Sequence, residues 1–229
     1  MITPILNFPI LKTGDDLTNI IVSTIKANNI QIEENGILCV ASKTVSVAEN
    51  RFVKLDNVKV SDSARQLHEK VPRKSPQVLQ LILDQTGNDE ASIRISGDWI
   101  GAKTHIGRVL TSGGVDKVDE KTAILLPENP DRSAEIIGKA MLQAFEVNVG
   151  VIITDSDGRE DIAGATQLCI GLYGIRPIRK KDDTEETICD MLAAAAGLVM
   201  GQRGTNIPAV IIHGYEYDFD KNVRLQDAY

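Results

Sequence analysis

Cysteine, histidine and surplus positive charge are all scarce in this chain, and each scarcity closes off a class of function. Three cysteines, Cys39, Cys169 and Cys189, stand far apart among 229 residues, with no CxxC pair. Each lies in or beside an apolar run (ILCVAS, QLCIGL, TICDML), so they read as reduced core thiols of a cytoplasmic protein rather than disulfide partners. The three histidines, His68, His105 and His213, are equally scattered, and no spacing supports a His/Cys zinc site. Lys and Arg number 25 against 32 Asp and Glu, and the resulting net charge of -7 and pI near 5.1 offer no basic stripe to nucleic acid. An acidic protein still holds anionic ligands through a local basic patch or bound cations. Long hydrophobic runs are missing as well. None approaches the ~18 residues of a membrane span, and the opening MITPILNFPIL has no basic region before its apolar residues, so neither insertion nor secretion is expected.

What is present is ordinary globular material, 42% hydrophobic and 25% charged, without repeats or low-complexity tracts. Thr13-Gly14-Asp15-Asp16 reads as a turn and N-cap ahead of a helix whose apolar face is Leu17, Ile20, Ile21 and Ile25. Gly36 introduces ILCVAS, a strand-type run that ends in the polar cluster Ser42-Lys43-Thr44. Residues 61–85 read as helix in two pieces interrupted by Pro72 and Pro76, and 91–127 as short β stretches, SIRIS, GRVLT and TAILLP. An amphipathic helix over 132–148, started by Asp131 or Ser133, leads into VGVIIT, the strongest buried-strand signal. Strand and helix are expected to alternate thereafter, with an Ala-rich helix over 185–200 that stops at Gly201, a GQRGTN loop, and a buried strand at Ile207-Pro208-AVIIHG. The fold class expected is mixed α/β in one domain over 1–229, with a β-rich portion around 86–130.

Two tempting motifs fail on register. Gly97-Asp98-Trp99-Ile100-Gly101-Ala102-Lys103-Thr104 nearly spells a phosphate-binding loop, but Ala102 stands where glycine must precede the lysine, and strand rather than helix is expected to follow. Asp155-Ser156-Asp157-Gly158 begins like a calcium loop without its third acidic ligand or closing glutamate. Two readings of that segment stay open: Asp155 as a carboxylate standing at a strand's carboxyl end to bind a hard cation, or Asp155 and Asp157 as an Asx-type turn. Asp116, in SGGVDKVDE, reads locally as a turn former, and Gly201–Asn206 as a helix exit whose amides and Arg203 could approach a phosphate.

Taken in order, Phe8-Pro9-Ile10-Leu11 followed by GDDL, ASKTVSVAENR, the GGVD turn followed by ILLP, VGVIITDSDGR, and AAAAGLVMGQRGTNIPAVIIHG resemble the F420-0:γ-glutamyl ligase family over nearly the whole chain. The resemblance implies that family's α/β fold, a homodimer, and a site holding GTP, or ATP, with two divalent cations, Mg²⁺ or Mn²⁺. It also implies transfer of the γ-phosphate to an acceptor carboxylate of the F420-0 type, after which L-glutamate displaces phosphate from the acyl phosphate. A folate-type polyglutamyl ligase and a nucleotide-binding homologue without turnover are the other readings. By the resemblance, Phe8, Pro9, Ile10 and Leu11, then Ser42 and Lys43, then Asp119, then Met200, Gly201, Gln202, Arg203, Gly204, Thr205, Asn206 and Ile207 face the nucleotide. Asp116, Asp155, Ser156 and Gln202 match the metal ligands. The chain also departs from the family pattern: Val47 replaces a lysine, Asp119 an asparagine, Gln202 an acidic ligand, and Glu160-Asp161-Ile162-Ala163 the basic residues expected after DSDGR.

Overall fold

The computed structural model describes every residue of the chain except Arg203, so the nucleotide contact expected there lies outside the described residues. In chain order the elements are β1 (Ile2–Pro4), α1 (Leu17–Ala27), β2 (Gly36–Ala41), α2 (Ser42–Ala48), β3 (Phe52–Lys54), α3 (Asp62–Lys70), α4 (Pro76–Gln85), β4 (Ile93–Ser96), β5 (Trp99–Lys103), β6 (Val109–Thr111), β7 (Asp116–Lys117), β8 (Thr122–Ile124), α5 (Pro130–Phe145), β9 (Val149–Gly158), β10 (Ala165–Tyr173), β11 (Ile178–Lys181), β12 (Thr184–Thr187), α6 (Ile188–Met200) and β13 (Ala209–Ile212). The mixed α/β class expected from the sequence is what the chain adopts. Its contacts divide it into two compact units. One comprises 1–50, 127–156 and 166–229, and the other 51–126 with 157–165.

The first unit is built on a five-stranded sheet in the order β1-β13-β2-β9-β10. β2 and β9 are parallel neighbours, and β2 together with the first half of β9, Val149–Ile153, is an unbroken apolar run because both are covered on two faces there. Alternation divides their side chains between those faces. Ile37, Cys39 and Ile152 join Val210 and the α6 residues Cys189, Leu192, Ala193 and Ala196 in one core. On the other face α5 lies close enough that a Cβ at Gly138 would meet the Tyr173 ring at 2.4 Å and Val151 at 3.5 Å. Tyr217 fastens the amino ends of the two parallel strands: its hydroxyl accepts from Gly150 N (2.8 Å) and donates to Gly36 O (3.3 Å).

The second unit holds two three-stranded sheets, β4-β5-β6 and β3-β8-β7. Its core joins Leu55, Leu67, Leu79, Ile82, Ile100 and Ala123. The segment that resembled a phosphate loop is strand β5, entered through Gly97 at φ 54°. Its Gly101 is a packing requirement, since a Cβ there would meet the Trp99 indole at 2.2 Å. Trp99 Nε1 donates to Thr111 Oγ1 (3.1 Å) and Gly158 O (3.3 Å), and Asp157 Oδ1 accepts from Thr111 N (2.7 Å).

Several expectations are corrected. α5 is capped by Asn129, whose side chain accepts from Arg132 N, with Pro130 at its first position, rather than by Asp131 or Ser133. The Asp131 carboxylate instead accepts from Leu172 N (2.7 Å) and Leu225 N (3.1 Å), and burial raises its pKa above the usual carboxylate value. Strand and helix do not alternate after β9, because β10, β11 and β12 follow in succession. Residues 185–187 belong to β12, where Glu186 and Glu185 pair with Arg179 (2.6 Å) and Lys180 (2.7 Å), so α6 begins only at Ile188. The Asx-type turn at Asp155–Asp157 is absent, since β9 runs extended through Gly158. Ser42-Lys43-Thr44, expected as a polar strand end, opens helix α2.

Candidate active site at the carboxyl end of the sheet

The strand directions of the first unit decide what can meet. β1 is antiparallel to β13, β13 to β2, and β2 is parallel to β9. β1, β2 and β9 therefore deliver their carboxyl ends to the edge at which β13 begins. Carboxyl ends of parallel strands are where open α/β sheets place ligands.

Four stretches singled out by the sequence emerge there. Ile5 N donates to Ala209 O (3.1 Å), anchoring the exit of β1, from which the chain runs on through Phe8–Leu11. Asn28 at the end of α1 donates to Leu6 O (2.9 Å) and holds the start of that loop. Phe8 and Leu11 are half-buried, whereas Pro9 and Ile10 are exposed. From β2 the chain passes directly into α2. There Ser42 is buried and Lys43 is exposed. Ala41 pairs with Thr154 on the last rung of the parallel ladder, so Ser42, opening α2, and Asp155, continuing β9, are the residues that follow that rung. Across 113 positions of sequence, Ser42 Oγ donates to Asp155 Oδ1 at 2.5 Å. Ser156 beside them is exposed.

The fourth stretch follows α6. Met200 is buried and Gly201 caps the helix at φ 65° through its N–H to Gly197 O (2.9 Å). A side chain at Gly201 would collide with Thr205 Cγ2 at 2.6 Å, so glycine is needed for the close approach as well as for the backbone angle. The Thr205 hydroxyl turns back to donate to Met200 O. Gln202, Gly204, Thr205 and Asn206 are exposed, and Ile207 packs against the α6 core. The segment then rejoins the sheet, with Pro208 O accepting from Ala41 N (2.8 Å).

This arrangement offers oxygen donors, the Asp155 carboxylate and the hydroxyls of Ser42 and Ser156, of the kind a hard divalent cation takes. Among the described residues no group of three or more His, Cys, Asp or Glu side chains gathers into a metal cage.

Asp116 and Asp119 belong to the second unit. Asp116 is exposed on β7, opposite Ile124. Its carboxylate draws the Lys74 ammonium upward, but burial and the Arg73 guanidinium prevail and lower that pKa. Asp119 shapes the turn between β7 and β8. The backbone N–H of Lys121 donates to its carboxylate (2.8 Å) and is the main cause that lowers its pKa.

One supporting residue is not legible in the sequence. Glu49, just past α2, accepts from Ser133 Oγ at the start of α5 and from Glu128 N (3.3 Å), so it fixes the helix that carries Ser42 and Lys43. Nothing in the local run VAEN marks it, because both partners lie some 80 positions away.

Residues 5–214 match the family described as F420-0:Gamma-glutamyl ligase. The chain is similar to the Coenzyme F420:L-glutamate ligase of Methanothermobacter thermautotrophicus, 34% identical over 91% of this chain and 86% of that one. A similar match is found to the enzyme of that name from Methanopyrus kandleri, 33% identical over 92% and 85%. Another, from Methanococcus maripaludis, is 36% identical over 82% and 79%. With its matched residues running from the exit of β1 to the end of β13, the chain belongs to the F420-0:γ-glutamyl ligase family.

Proposed function

We propose that this protein joins L-glutamate in amide linkage to a carboxylate-bearing acceptor of the coenzyme F420-0 type, consuming GTP or ATP with Mg²⁺ or Mn²⁺. The observation that carries the reading is the pairing of Ser42 with Asp155 at the carboxyl end of the sheet, within a chain whose relatives are named Coenzyme F420:L-glutamate ligase. A free carboxylate is a poor electrophile because attack on it must expel an oxide. In the proposed reaction the acceptor carboxylate takes the γ-phosphoryl group, and the glutamate amine then displaces phosphate from the acyl phosphate. Bound divalent cations supply neutralisation of the charge that gathers on the phosphates.

The chain's own residues have separate parts. The Phe8–Leu11 loop and Gly204–Ile207 flank the nucleotide, and Lys43, exposed at the first turn of α2, reaches its phosphates as a point charge. Asp155 holds the cation, with Ser156 and the Gln202 side-chain oxygen as neutral donors. By the resemblance, Asp116 matches a metal ligand and Asp119 a nucleotide contact. Homodimerisation belongs to the same reading: light scattering is expected to give twice the 24.9 kDa chain mass.

The test incubates the purified protein with each metal, each nucleotide, L-glutamate, and F420-0 and folate acceptors, and reads acceptor mass. Glutamyl additions to an F420-type acceptor that require nucleotide and metal are expected. Additions to folates alone would transfer the reading to a folate-type ligase, and nucleotide binding without additions to any acceptor would make the protein a binding homologue.

A further inference from the structure

Thr154, the residue before Asp155, has 0% exposure and a hydroxyl with no hydrogen-bond partner among the described residues. Buried hydroxyls are nearly always paired, and an unpaired one in a dry site is less favourable than an apolar group of the same shape. Packing does not explain it. Its rung partner is Ala41, and alternation along β9 puts it on the face of Ile152 and Cys39, against the apolar core under α6. Valine has the same shape and would suit that position. The chain leaving α6 returns to the sheet at this level, where Pro208 meets Ala41, while Asp155 stands on the opposite face at the following position.

We propose that Thr154 is a positioning residue of the ligase site, whose hydroxyl gains its hydrogen-bond partner only when a nucleoside triphosphate is held between Asp155 and Gly204–Ile207. In the free protein the hydroxyl is a cost. In the loaded protein it ties the core of the sheet to the main chain or ligand oxygen that settles above it. The inference rests on reading this sheet end as the nucleotide site.

The test titrates GTP and ATP with Mg²⁺ into the wild type, Thr154→Val and Thr154→Ser by calorimetry, and records thermal unfolding of each free protein. The valine variant is expected to unfold no lower than wild type yet bind nucleotide roughly 5- to 20-fold more weakly, the loss of one hydrogen bond. The serine variant, which keeps the hydroxyl, is expected to bind within about threefold of wild type. Equal affinity of valine variant and wild type overturns the proposal. So does a valine variant that unfolds at lower temperature with unchanged affinity, since the hydroxyl would then belong to the free fold. A wild type that binds neither nucleotide defeats the nucleotide reading itself, and the proposal with it.

Discussion

Asp155 meets Ser42 because the two follow adjacent positions on one rung of a parallel ladder, a relation set by register rather than by any local feature of either segment. Asp155 could be picked out from sequence as a carboxylate at the end of VGVIIT. Thr154 could not, because a threonine ending an apolar strand is unremarkable until its partners are counted. Val47, half-buried on α2, is the position where the family pattern has a lysine. Val47→Lys is expected to tighten nucleotide binding by about 1–2 kcal/mol if the ammonium reaches a phosphate. Calorimetric titration with GTP or ATP in the presence of Mg²⁺ checks this, and no gain would mean that α2 does not face the phosphates.

Tyr217 supplies a residue-scale test of the fold. Burial pushes its phenol from the ordinary 10.0 up to about 12, with the Gly150 N–H pulling the other way. Between those values the folded chain keeps a proton that the unfolded chain has released. Its stabilising contribution is therefore complete below pH 10 and lost as pH rises towards about 12. Tyr217→Phe is expected to lose about 1–2 kcal/mol at neutral pH through its two hydrogen bonds, and to show a shallower fall in stability above pH 10 than wild type. Denaturant unfolding across pH measures both effects.

At the scale of elements, legibility follows how local the determining forces are. α1 was readable because Asp16 caps it, with Asn19 N donating to its side chain (3.0 Å), and an apolar stripe repeats behind the cap. β2 and β9 were readable because burial on both faces leaves an apolar run. α2 was not: SKTVSVA is short and rich in β-branched residues, and its helix is imposed by burial of Thr44, Val45 and Ser46 and by the Glu49 brace to α5. Glu49→Ala is expected to destabilise the protein by about 1–3 kcal/mol, since the Glu128 N–H loses its carboxylate acceptor and the Ser133 hydroxyl is left with Asn129 O alone (3.1 Å), and to weaken nucleotide binding as well. Glu49→Gln, which retains an acceptor, is expected to recover most of both. Chemical denaturation beside nucleotide titration separates the brace from any wider loss of structure. β5 was hidden for a different reason: Gly97 and Gly101 resemble a phosphate loop in letters, while in space Gly97 makes the turn into the strand and Gly101 makes room for Trp99.

For the whole molecule, the order β1-β13-β2-β9-β10 brings the stretches after β1, β2, β9 and α6 to one edge, although they lie between residues 8 and 207 of the sequence. Their order could be matched to a family from sequence, but their convergence required strand directions that no single segment encodes. Among the described residues no helix is long and apolar enough to cross a membrane. The proposal that binds these observations together is that the sheet's carboxyl edge is the seat of a nucleotide-driven glutamyl ligase. The most direct measurement is the rate of glutamyl addition to an F420-0 acceptor, followed by mass spectrometry with GTP and Mg²⁺ or Mn²⁺, for wild type and for an Asp155→Asn variant shown by circular dichroism to be folded. The account predicts glutamyl addition by the wild type and a fall of at least about 100-fold in the variant, the scale expected when charge stabilisation at a phosphoryl-transfer site is removed. An Asp155→Asn variant that matches the wild-type rate, or a wild type that adds no glutamate, would contradict it.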